Sequence, residues 1–203
     1  MFDSNAPRFG LSTGLWIPIA AASVADIETY VGAIQHRITD PATGRVNALV
    51  VMAQQHGVPA QTQAPLWNSA LAQKAGDRLY PALQVWVHVD FGGYRQAYNS
   101  LGMPAIPARY FLDHVQNRKA MGLRHNSHPY LRLCPVHRQV NTSAGHAAGA
   151  EGMERQFLAT HHPAPGQNRI IYADPMDLTK MLDIAPGTQV LSGVRDTQRL
   201  FYR

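Results

Sequence analysis

Two short apolar segments, YFLDH (110–114) and PYLRLCPV (129–136), constrain the fold of this chain most, because they flank a polar stretch and lead directly into HRQVNTSAG. Alternation in PYLRLCPV places Leu131 and Leu133 on one face of a strand and Arg132 on the other. YFLDH ends on Asp113-His114 where the polar stretch begins, and HRQVNTSAG reads as the start of a helix. His137 and Asn141 are four residues apart and would share a face of that helix. The order is strand, loop, strand, helix.

Charge is concentrated in the same window. Residues 1–94 carry five basic and six acidic side chains, and residues from 147 onward carry six of each. Between them, Arg95, Arg109, Arg118, Lys119, Arg124, Arg132 and Arg138 face one acid, Asp113. The formal net charge of +5 is therefore a local property, and His114, His125, His128, His137 and His146 lie within it. A local basic field is what a polyanion-binding surface requires, and arginine grips phosphate with a planar fork.

With 203 residues the chain fits one domain with a buried core. A single cysteine, Cys134, excludes an intramolecular disulfide and agrees with a reducing, cytoplasmic setting; export as a toxin without a signal peptide stays open. No apolar run approaches the roughly 20 residues of a membrane-spanning helix, so no membrane partner is expected. WIPIAAASVA (16–25) reads as the start of a buried helix that continues over about 21–37, with cap-like chemistry at Ser23 and Asp26. ALVVMAQQHG (48–57) fits helix or strand, WNSALAQKAGDRLY (67–80) a helix, QVWVHVDF (84–91) a strand, and YRQAYNSLG (94–102) a short helix ended by glycine. Helical spacing returns over 142–162, RIIYAD (169–174) reads as a strand, and PMDLTKML (175–182) as a short helix. The fold class expected is α+β. Residues 1–94 form a mostly helical region, 95–162 a basic core, and 163–203 a strand–helix–strand extension.

The segment 111–145 resembles the HNH, or His-Me finger, nucleases. Asp113-His114 matches that family's opening element, VNTSAG its helix segment, and His137 with Asn141 the paired helix ligands of bacteriocin-type members. Tyr130 stands where the family commonly has Asn, Ala144 where Lys is frequent, and no paired CxxC knuckles are present, so no structural zinc is expected. The resemblance implies a ββα-metal unit at about 108–160 within a mixed domain. It implies a metal-dependent endonuclease in which His114 is the general base and Asp113, Asn141 and His137 hold a divalent cation, Mg²⁺, Mn²⁺, Zn²⁺ or Ni²⁺. Arg118, Lys119, Arg132 and Arg138 would grip substrate phosphates, with DNA favoured over RNA as the partner. This chemistry suits the residue types, since histidine titrates near neutral pH and a cation can stabilise the leaving oxygen.

Two other functions are compatible with the same residues. A non-catalytic nucleic-acid-binding protein would use the basic surface without metal, and an assembly protein would present it to an acidic partner. Individual residues also have plain structural readings. Asp113 can cap a turn, Asn141 can cap the helix, His125 and His128 fit a solvated loop, and Cys134 fits a buried thiol. The aromatics of VWVHVDFGGYRQAY fit a core better than a base-stacking surface.

Overall fold

The apolar run after Trp16 is extended rather than helical. In a computed structural model of the chain, which describes residues 17–53, 81–115, 127–138 and 169–173 together with Asp177, Lys180 and Met181, Pro18–Ala21 is a fully buried strand, β1. Helix α1 begins only at Val24 and ends at Tyr30. Ser23 caps it: the Ser23 hydroxyl accepts from the Asp26 backbone N–H at 3.1 Å and donates to the Asp26 carboxylate at 2.5 Å. Ile27 and Val31 are the buried side of this short helix.

The helix expected over 21–37 stops because Gly32–Thr39 is strand β2. Ile34 and Ile38 are four apart and suit a helix face, but in the strand the register shifts between Ile34 and His36, so Ile34 packs on the face of Val51 and Trp86 and Ile38 on the opposite face with Val50 and Val85, while Gln35, His36 and Arg37 between them are exposed. Pairing with β3 decides between the two. DPATG makes the β2–β3 turn, where the Asp40 carboxylate accepts from Ala42 N–H at 2.9 Å and Gly44 takes a left-handed φ of 72°. β3 is Val46–Ala53, a mostly buried run, which makes 48–53 of the helix-or-strand segment 48–57 a strand; 54–57 lie outside the described residues. β4 (Leu83–His88), helix α2 (Tyr94–Ser100), β5 (Tyr110–His114), β6 (Tyr130–His137) and β7 (Ile170–Tyr172) follow. Gly102, at φ 71°, ends the α2 segment as its sequence indicates.

Six strands form one antiparallel sheet in the order β2-β3-β4-β6-β1-β7, and β5 pairs with β6 off this path. The ββα-metal architecture expected for 108–160 is therefore corrected: the described residues form a mostly β, curled antiparallel sheet carrying two short helices. β6 is a central strand of that sheet and not one arm of a self-contained unit. Its first residues pair with both β4 (Trp86↔Arg132, Leu131↔Val87) and β1 (Ala20↔Leu131), and its last five pair with β5. His137, expected on a helix, is the last residue of β6. Strands from 18–88, 110–137 and 170–172 share this one sheet, so it runs across the three sequence regions.

Both faces of β6 are covered. Cys134 and Val136 pack with Ile17, Ile19, Val115, Ile171 and Met181, while Leu133 packs on the opposite side with Val85, Val87, Tyr98 and Leu112. That double burial is why Arg132, alternate to two leucines, is 1% exposed; its Nη1 donates to the Pro18 carbonyl on β1 at 3.4 Å. A second long-range tie joins α1 to the start of β7, where Arg169 Nε donates to Asp26 Oδ1 at 2.9 Å. Burial opposes the Asp26 charge, but the Arg169 and Ser23 hydrogen bonds outweigh it and hold the carboxyl below the ordinary aspartate value.

Candidate nucleic-acid interface

β6 leaves the main sheet after Arg132 and continues with β5 as a two-stranded ribbon, about 17 Å long for its five rungs. The register decides which side chains meet. Tyr110 pairs with His137, Phe111 with Val136, Asp113 with Cys134, and His114 with Leu133. Paired residues share a face and neighbours alternate, so Tyr110, Leu112, His114 and His137 lie on one face and Phe111, Asp113, Cys134 and Val136 on the other.

This geometry separates the residues that the sequence groups. Asp113 and His137 leave opposite faces and are three rungs apart, about 10 Å along the strand. They do not converge on one cation, so the described residues do not fit the implied metal site. Among the described residues, no group of three or more His, Cys, Asp or Glu side chains could hold a metal ion. Asn141, Arg118 and Lys119 lie outside the described residues. His114 is 5% exposed beneath α2, with its ring edge-on to Tyr94 at 4.7 Å between centroids. A general base must reach the water it activates, and among the described residues the His114 ring is packed under Tyr94. Arg132, expected at substrate phosphates, is instead in the core. His128, expected in a solvated loop, is buried and makes a 3.0 Å hydrogen bond with the Ser127 hydroxyl. Cys134 is a buried thiol and Trp86 a core aromatic, as their settings in apolar strands suggest.

The groups that do come together are at the outer end of the ribbon. The Arg138 backbone N–H donates to the Arg109 carbonyl at 2.7 Å, which sets the two exposed arginines side by side, their Cα atoms about 5–6 Å apart. Phe111 is 37% exposed on the same face as Arg138, and the Arg138 guanidinium carbon lies 5.9 Å from its ring centre. On the other face the Tyr110 and His137 rings meet edge-to-face at 5.2 Å. A second arginine–aromatic pair, exposed Arg95 over half-buried Tyr94 at 5.7 Å, adjoins the inner end of β5. Sequence reading singled out Arg138 but not Phe111, and counted Arg109 only as charge. The signal was present in ARYF, a cation followed by two aromatics at a strand start, but its partner across the ladder depends on register.

A separate polar group caps β4. His88 Nδ1 accepts from Asp90 N–H at 3.2 Å, Arg45 lies 3.5 Å from the Asp90 carboxylate, and the Tyr130 ring stands edge-on to His88 at 5.4 Å. Burial pushes the His88 pKa below the ordinary histidine value, Arg45 pushes the same way, and Asp90 offsets part of both. The fold thus binds this proton more weakly than the unfolded chain does. Stability from His88 is complete above the ordinary value of 6.5 and is lost as pH falls through the lower folded value. Denaturant melts from pH 8 down to about pH 5 will show a smaller acid-induced loss in His88→Gln than in the parent chain. Identical pH profiles for the two would remove His88 as a contributor.

Among the described residues, no helix is long and apolar enough to cross a membrane. No family model, curated protein or solved structure matches this chain.

Proposed function

We propose that this protein binds nucleic acid through the outer end of the β5–β6 ribbon. One observation carries the reading: Arg109 and Arg138 are held on a single backbone rung, exposed, with an exposed phenyl ring under the second guanidinium. Two cations beside an aromatic meet the needs of a phosphate backbone with attached bases. The excess of base over acid in 95–146 supplies the long-range attraction.

A metal-dependent endonuclease with His114 as general base is the second reading, and it is favoured by Asp113-His114 closing β5 immediately before the β5–β6 connection. Both readings are separated by one set of assays on the full chain with labelled DNA and RNA. In chelator and low salt the parent chain will bind, and the double variant Arg109→Ala/Arg138→Ala will bind at least about tenfold more weakly. Absence of binding under those conditions would sink the proposal. Metal-dependent cleavage that disappears in a folded His114→Ala variant would replace binding alone with the endonuclease reading.

A further inference from the structure

Arg109 is the only described non-glycine residue with a positive φ, at 73°. A side chain with a Cβ is disfavoured there, whereas glycine takes that conformation readily. The residue is fixed from both sides: the Tyr110 N–H donates to the Pro107 carbonyl at 3.1 Å, and the Arg109 carbonyl accepts from Arg138 at 2.7 Å. The same rung therefore carries backbone strain, which glycine in place of Arg109 would relieve. Local strain of this kind is retained where a side chain has work to do on a ligand.

Phe111 adds the second half of the argument. It is large, apolar and 37% exposed, yet its cross-strand partner Val136 is fully buried, so the ring sits at the boundary where the core ends and solvent begins. The guanidinium of Arg138 lies over that ring. Rings and guanidinium planes take up bases by stacking, and a base in a duplex has both faces already covered by its neighbours. Only an unpaired base can lie on Phe111.

Resting on the nucleic-acid reading above, we infer that the outer end of the ribbon is a single-strand site. One unpaired base stacks on Phe111 against Arg138, and Arg109 and Arg138 hold the adjoining phosphates. Exposed Arg95, over half-buried Tyr94, lies toward the other end of β5 and offers a continuation of the strand's path.

The test is fluorescence anisotropy on the full chain with a labelled single-stranded oligonucleotide of about 20 nucleotides and a duplex of the same length. The single strand is expected to bind at least about tenfold more tightly than the duplex. Phe111→Ala should weaken single-strand binding by about five- to a hundredfold and leave duplex binding nearly unchanged, and Phe111→Tyr should restore it. Arg109→Gly should weaken binding while raising or preserving the melting temperature, the opposite of what a structural role for the side chain would give. Equal affinity for the two oligonucleotides, with no effect of Phe111→Ala, would overturn the single-strand site and leave the nucleic-acid reading standing. Failure of both oligonucleotides to bind would overturn both.

Discussion

Arg132→Ala will lower the stability of this protein by about 3 kcal/mol or more, whereas Arg138→Ala will change it by no more than about 1 kcal/mol. The two residues lie six apart, Arg132 within β6 and Arg138 just past its end, and have the same chemistry, but their surroundings assign them opposite tasks. The Arg132 guanidinium is 1% exposed and donates to the Pro18 carbonyl, so it links β6 to β1 through a side chain as well as through the ladder. Truncation removes a charged donor from a buried carbonyl and empties the volume of the aliphatic stem, and each of these is costly in a closed interior. Arg132→Met keeps most of the volume and needs no buried charge, so it should cost clearly less than alanine. Arg138 is exposed, and its ring contact with Phe111 is worth only about 0.5–1 kcal/mol at the surface. Urea melts of the three variants check this directly. Near-parental stability of Arg132→Ala would contradict the placement of that side chain in the core.

Trp86→Ala will cost about 3–5 kcal/mol, the largest loss expected from a single substitution in the described core. Its indole is fully buried among Leu49, Val51, Ile27, Tyr130 and Ile170, residues from β3, α1, β6 and β7. The indole N–H donates to the Gln84 side-chain carbonyl at 3.3 Å, and Gln84 is itself buried, so truncation also leaves that oxygen without its donor. Because β4 pairs directly with β6, the loss should appear as one transition shifted down by about 10 °C or more. A helical N-terminal region folding apart from a ββα unit would give a different result. There, Trp86→Ala would shift one of two transitions and spare the other. Calorimetry separates these outcomes.

Much of the strand content is legible in the sequence where burial and alternation agree. QVWVHVDF, PYLRLCPV and RIIYAD each contain a strand, over 84–88, 130–136 and 170–172, and the glycine-ended YRQAYNSLG contains a short helix, because each has a local pattern that the sheet does not override. The failure at 32–39 is instructive. Ile27, Tyr30, Val31 and Ile34 satisfy a helical spacing, and only the pairing of β2 with β3 turns the stretch from Gly32 onward into a strand. The overall architecture escaped for a related reason. A strand–loop–strand order is common to many folds, and nothing local to 129–136 says that β6 also pairs with β1 and β4, strands from the N-terminal half.

The candidate site was legible as charge but not as geometry. The clustering of cations in 95–146 covers the stretch that holds Arg109 and Arg138, yet composition could not distinguish Arg132 in the core from Arg138 at the surface. Alternation placed Arg132 opposite two leucines, which implies solvent only when the strand has a free face. His114 was singled out on its neighbour Asp113, but consecutive strand residues point to opposite faces, and the register puts His114 under Tyr94. The pairing of Phe111 with Arg138, and of Arg109 with the same rung, is a long-range consequence of the ladder.

The most direct test of the central claim is the salt dependence of single-strand binding by the parent chain and by Arg109→Ala/Arg138→Ala. Each phosphate contact contributes about 0.7 to the slope of log affinity against log salt for a single strand. Loss of both arginines should therefore flatten the slope by about 1.4 and weaken binding in low salt, with the melting temperature unchanged or raised. Binding whose affinity and salt slope are the same in parent and variant would place the interface elsewhere on the molecule and contradict the account.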